Sequence, residues 1–192
     1  TALYAFVVIS FFITIVDIII RFPLQSEMID YNDIQAIVIN VLALLIQIVF
    51  FAYGFVNAIR GMLSPKRMGA VIVAFFAATC ITGTGNMVIN SNVQIVLWWI
   101  VLIIPNIVGA VATFAYFVSG KKSKIYSIII YLAAIWGMFR IIYSNYNLIV
   151  HANQYLSMNS TVRLVLGIAI HCLVIYQTYV LWIKRQNAID IS

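Results

Sequence analysis

The chain has 192 residues, 65% of them hydrophobic and 8% charged, with a net charge of +6 and a mean hydropathy of +1.08. Soluble domains carry about 25% charged residues, so this composition argues against a water-soluble fold and for lipid as the main solvent. Cys80 and Cys172 lie in apolar segments without CxxC or paired spacing, which excludes a secreted disulfide framework; both are expected to be small core residues.

A helix needs ~20 residues to cross a hydrocarbon core of ~30 Å. On that criterion the chain is all-α, a single polytopic transmembrane domain of six spans, at about 2–22, 34–59, 69–90, 94–118, 125–146 and 161–183. The opening TALYAFVVIS has no basic n-region and no small-residue cleavage site, so the first apolar run is expected to be a retained span.

The first span contains FFITIVDIIIRF, residues 11–22. Asp17 and Arg21 stand one helical turn apart on one face. Arg21 is long enough to snorkel toward headgroups, whereas Asp17 is not. An acid inside a span costs roughly 2.5–3.5 kcal/mol, so Asp17 is expected to face the protein interior and to find a cation, Arg21 or Arg140. The loop that follows carries Glu27, Asp30 and Asp33.

The second span carries Gln47, the main polar exception in an inner half that is mostly small and apolar, and ends at the breaker GMLSPKRMG. The third is the most patterned. Ala70, Ala74, Ala78, Thr82, Asn86 and Asn90 recur every four residues. The alanines allow close helix approach, within the chain or to a partner subunit. The outer half turns polar, and Gly83 and Gly85 weaken the helix there, so an unwound or prematurely ended segment is expected.

In the fourth span, Pro105 of IIPNIVG removes a backbone donor and is expected to bend the helix. Asn106 would satisfy a freed carbonyl or face a cavity. Trp98 and Trp99 fit an interfacial aromatic belt at one end, as does Trp182 at the other end of the sixth span. The fifth span, within AAIWGMFRIIYSNYN, places Arg140 at the depth expected for Asp17; Trp136 lies deeper and is expected in the core. In the sixth, Arg163, Gly167 and His171 share one face, with His171 near mid-depth. A buried histidine bonded to a carbonyl is the plain reading of His171, and a ligand contact the functional one.

Arg60, Lys66, Arg67, Lys121, Lys122, Lys124, Lys184 and Arg185 fall on one side of a six-span arrangement, and the acidic loop on the other. The positive-inside rule then puts both termini in the cytoplasm. No HExxH motif, metal-ligand cluster, phosphate-binding glycine loop or nucleic-acid signature is present, and no motif joins Cys80 to His171 as nucleophile and base. The chain is therefore expected to be no enzyme, with no cofactor, no bound metal and no nucleic-acid partner.

The polar side chains concentrate in the outer half. Full-depth channels need polar lining throughout, so this distribution suits a site open outside and closed below. The expected function is small-molecule binding or transport in the bilayer, with the ligand arriving from the outer face. The candidate contacts are Asp17, Arg21, Thr82, Asn86, Asn90, Asn106, Trp136, Arg140 and His171. The alternative is a non-catalytic membrane subunit or assembly factor, meeting its partner through the Ala70, Ala74 and Ala78 face; an intramembrane enzyme is the least supported reading. In plan alone, six spans with both ends inside is similar to the substrate-binding subunits of energy-coupling-factor vitamin transporters. Those carry an AxxxA pattern in the first span, whereas here the alanine stripe is in the third. The abundance of Ile, Asn and Tyr suggests an AT-rich genome and hence a bacterial cell membrane.

Overall fold

The computed structural model of the chain describes the backbone of residues 1–25, 31–89, 97, 99–119, 123–144 and 158–189. Among these residues all regular structure is helical. Six helices follow one another: α1 (Ala2–Gln25), α2 (Tyr31–Ile59), α3 (Pro65–Ile89), α4 (consecutive segments Trp99–Ile103, Ile104–Thr113 and Phe114–Val118), α5 (Lys124–Ser144) and α6 (Met158–Ile189). The described part of each expected span is helical. Four described stretches are long and apolar enough to cross a membrane: Ile37–Ile59, Pro65–Thr82, Val101–Val118 and Lys124–Tyr143. Ala2–Val16 and Leu164–Val180 are shorter apolar stretches.

These segments are rich in Ile and Val, which in water favour strands. A helix satisfies every backbone donor and acceptor within one segment, which an apolar surrounding demands. The polar side chains obey the same rule. Thr14, Thr79, Thr82, Thr113 and Thr178 each donate the hydroxyl to the carbonyl four residues back, at 2.6–3.0 Å.

Each helix packs on the next, α6 returns to α1, and α3 also touches α6 across the middle. The bundle is thus a closed ring with a small centre. Phe11, Phe51, Ile72, Phe76, Ile130 and Val174 are almost fully buried in it. The outward surface is apolar too, with Val38, Leu42, Leu45, Val49 and Val56 exposed along α2. A helix apolar all round belongs either inside a large core or in lipid.

The α2–α3 turn shows how local chemistry sets the ring. Gly61 adopts a φ of +65°, the left-handed value that ends a helix. Met62 N–H bonds Asn57 O at 2.9 Å and Gly61 N–H bonds Ala58 O at 3.2 Å, the paired bonds of a Schellman cap. Ser64 then caps α3, its Oγ accepting from Arg67 N–H at 3.3 Å, with Pro65 in the first helical position. Arg67 Nη1 ties the turn together by donating to Asn57 Oδ1 at 2.7 Å and Met62 O at 2.9 Å.

Three local expectations are corrected. The backbone of α3 stays helical through Gly83 and Gly85 to Ile89, because two glycines cost about 1 kcal/mol each and open backbone in an apolar surrounding costs more. The irregular helix is α4, whose two ends are π-helical. Cys172 is exposed, since it sits one residue past buried His171 and so points elsewhere around the helix; Cys80 is half-buried, its thiol 4.0 Å from Ile103 O. Trp136 is on the surface instead of in the core. Its indole N–H needs an acceptor, and Pro105 provides one indirectly. Lacking an N–H, Pro105 cannot serve the carbonyl of Val101, and Trp136 Nε1 donates to that oxygen at 2.8 Å.

The alanine stripe is used inside the ring. Ala74 and Ala78 are buried by the chain's own helices, and Ala70 is half-buried.

Candidate functional site

A cavity of about 220 Å³ lies within the ring, walled by α1, α2, α3, α5 and α6. It occupies the part of the bundle formed by the N-terminal halves of α2 and α6 and the C-terminal parts of α3 and α5. Its polar wall comprises Asn40, Gln47, Thr79, Thr82, Arg140 and His171; Phe11, Phe75, Leu166 and Ile170 are among its apolar lining.

Helix α2 supplies Asn40, Ala43, Leu44 and Gln47, one face of a helix over about 10 Å of rise. Helix α3 supplies Phe75, Thr79 and Thr82 by the same spacing. The hydroxyls of Thr79 and Thr82 donate to Phe75 O and Ala78 O, both at 3.0 Å. With the proton committed to the backbone, each oxygen keeps lone pairs as an acceptor.

His171 is buried, and its Nδ1 lies 2.7 Å from Gly167 O. A carbonyl only accepts, so Nδ1 carries the hydrogen, and in the neutral ring Nε2 is the acceptor. The ring packs edge-to-face on Phe75, with centroids 4.9 Å apart and planes at 89°. On its other side it lies against Gly137 of α5. A Cβ at Gly137 would overlap His171 Nε2 and approach Cδ2 to 2.9 Å. The missing side chain therefore lets α5 close on α6. Arg140, one turn further along α5, reaches the same cavity as His171. Its guanidinium is always charged and offers several donors in one plane.

The cavity thus combines a fixed cation with neutral amides, hydroxyls and an imidazole. That set suits non-covalent capture of a small solute with acceptor or anionic groups. Among the described residues no group of three or more His, Cys, Asp or Glu side chains gathers to hold a metal.

Of the candidate contacts, Thr82, Arg140 and His171 are brought together, from three helices. Asn106 is elsewhere: it is buried in α4 and donates Nδ2 to Leu102 O at 2.6 Å. Trp136 bridges α5 to α4 at the surface. The side chains of Asp17, Arg21 and Asn86, and the whole of Asn90, lie outside the described residues, as does the expected pairing of Asp17 with Arg140. Asn40 and Thr79 are cavity residues that sequence reasoning passed over. The available signal was the run Asn40, Ala43, Leu44, Gln47, where two amides share a face of an otherwise apolar span.

No protein-family model, curated protein or solved structure matches the chain.

Proposed function

We propose that the chain is a membrane-embedded binding protein for a small polar solute, held in the cavity between α1, α2, α3, α5 and α6. The observation that carries this reading is the convergence of Thr82, Arg140 and His171, from three helices, on one cavity within a mostly apolar ring. Polar groups buried in apolar surroundings are costly unless they have work to do or partners to meet. The apolar outer surface and the four long apolar stretches support a bilayer setting. In this reading all six helices span, both termini are cytoplasmic, the cavity lies toward the outer face, and the setting is a bacterial cell membrane.

Cavity size and chemistry narrow the solute. Drug-sized pockets run to about 300–1,000 Å³, so a space of about 220 Å³ suits a compact molecule. An arginine fork pairs bidentately with a carboxylate, and Asn40, Gln47 and the threonine oxygens would bond hydroxyl or amino groups beside it. The reading is therefore a small carboxylate-bearing solute.

The test is thermal unfolding of the purified protein in detergent against amino acids, short carboxylic acids and neutral monosaccharides. A ligand that binds the folded state raises the unfolding temperature by mass action. A carboxylate-bearing class should stabilise the parent protein, and Arg140→Gln should lose that stabilisation while Cys172→Ser keeps it. If no compound shifts the transition, or if the shift survives both Arg140→Gln and Thr79→Val, the reading fails.

A further inference from the structure

A second cavity, of about 480 Å³, lies toward the opposite end of the bundle, beside the α2–α3 turn. Its walls include Tyr4, Ala58, Met68, Leu173, Gln177 and Val180, and they are not wholly apolar, since Gln177 Nε2 donates to the Tyr4 hydroxyl. Four helices, α1, α2, α3 and α6, line both cavities.

Along α1 and α3 the two cavity linings are seven residues apart, and along α6 they nearly adjoin. On α1, Val7 stands three residues after Tyr4 of the second cavity and four before Phe11 of the first. On α3, Ile72 stands four after Met68 and three before Phe75. On α6, Val174 stands four after Ile170 and three before Gln177. On α2, Phe51 stands four after Gln47 and seven residues, about two turns, before Ala58. All four are at most 1% exposed. Phe51 spans the gap: its ring centroid is 6.1 Å from that of Phe11 and 6.3 Å from that of Tyr4, one in the wall of each cavity.

We infer that the two cavities are the two ends of one pathway through the bundle, closed by a one-layer apolar gate of Val7, Phe51, Ile72 and Val174. This rests on the solute-binding reading above and extends it from capture to passage. An apolar constriction blocks water and polar solutes by dewetting, without a polar plug. One turn of helix separates the gate from each cavity along α1 and α3, and on α6 Val174 adjoins Leu173 of the second cavity, so a modest shift of these helices or a turn of the Phe51 ring would join the two spaces. The same arrangement accounts for where the polar residues are found: Thr79, Arg140 and His171 on one side of the layer, Tyr4 and Gln177 on the other.

The test places a single reporter cysteine in each cavity wall, Thr79→Cys or Ala58→Cys, in a Cys80→Ser, Cys172→Ser background. A charged, membrane-impermeant methanethiosulfonate reagent is applied to intact spheroplasts and to inverted vesicles. With the gate intact, the two reporters should react from opposite faces only. Phe51→Ala should abolish that sidedness for both. Ile72→Ala thins the same layer and carries the test if Phe51→Ala does not accumulate as folded protein. The gate is overturned if both reporters react from the same face, if neither reacts from any face, or if sidedness persists in a folded variant of either kind. Thermal stabilisation by carboxylates is read separately, so a failed gate leaves the binding reading standing, and loss of sidedness without any stabilising solute would show a pathway whose binding reading is wrong.

Discussion

His171 lies directly against the backbone of Gly137, on the neighbouring helix, while its Nδ1 is held by Gly167 O at 2.7 Å. The ring is thereby fixed from two helices and Phe75 closes a third side. This contact sets how closely α5 and α6 approach and brings Arg140 to the cavity.

Gly137→Ala should separate α5 from α6. Overpacking of this kind typically costs about 1–3 kcal/mol, which should appear as a lower unfolding temperature in detergent. His171→Ala removes the obstructing ring, so the double variant should lose less than the sum of the two single losses. Strictly additive losses would mean that the two residues do not share this contact.

Trp136→Phe should remove the indole donor from the Val101 carbonyl, at a cost of about 0.5–1.5 kcal/mol for the lost hydrogen bond. Pro105→Ala restores a backbone N–H at the position that normally serves that carbonyl. In a Pro105→Ala background the Trp136→Phe substitution should therefore be milder, by thermal or chemical unfolding. An equal loss in both backgrounds would detach the indole bond from the proline.

Asp17 and Arg140 are expected at the same depth on different helices. Breaking a buried pair by removing one partner typically costs about 3–5 kcal/mol. Asp17→Asn combined with Arg140→Gln should then be less damaging to stability than either substitution by itself. Additive losses would mean that Asp17 and Arg140 do not pair.

The expected orientation can be read by cysteine labelling from each face of the membrane. Cysteines placed in 26–33 should react from outside and those in 121–124 from the cytoplasm. The reverse pattern would invert the topology and with it the face from which the solute enters.

Only part of the candidate site is legible in the sequence, and for a consistent reason. Thr82, Arg140 and His171 were recognisable because a polar or charged residue in an apolar run stands out whatever surrounds it. Thr79 did not stand out, since a threonine bonded to its own helix is unremarkable by itself. Asn106 and Trp136 stood out but serve elsewhere, Asn106 bonding Leu102 O and Trp136 bonding Val101 O, both in the helix that contains Pro105.

By itself, the amino-acid sequence determined that the described residues are helical and roughly where the six described helices lie. Helix formation in an apolar stretch is a local matter: each bond closes within four residues, and breakers such as Gly61, Ser64 and Pro65 act where they stand. Tertiary structure decided which faces meet. Whether Trp136 went to the core or the surface, and which polar residues share a cavity, depended on what the neighbouring helix offers. Phe51 is the clearest case. In sequence it is one more phenylalanine in FFAYGF, and its place between two cavities arises only from α1 and α2 packing Tyr4 and Phe11 on either side of it.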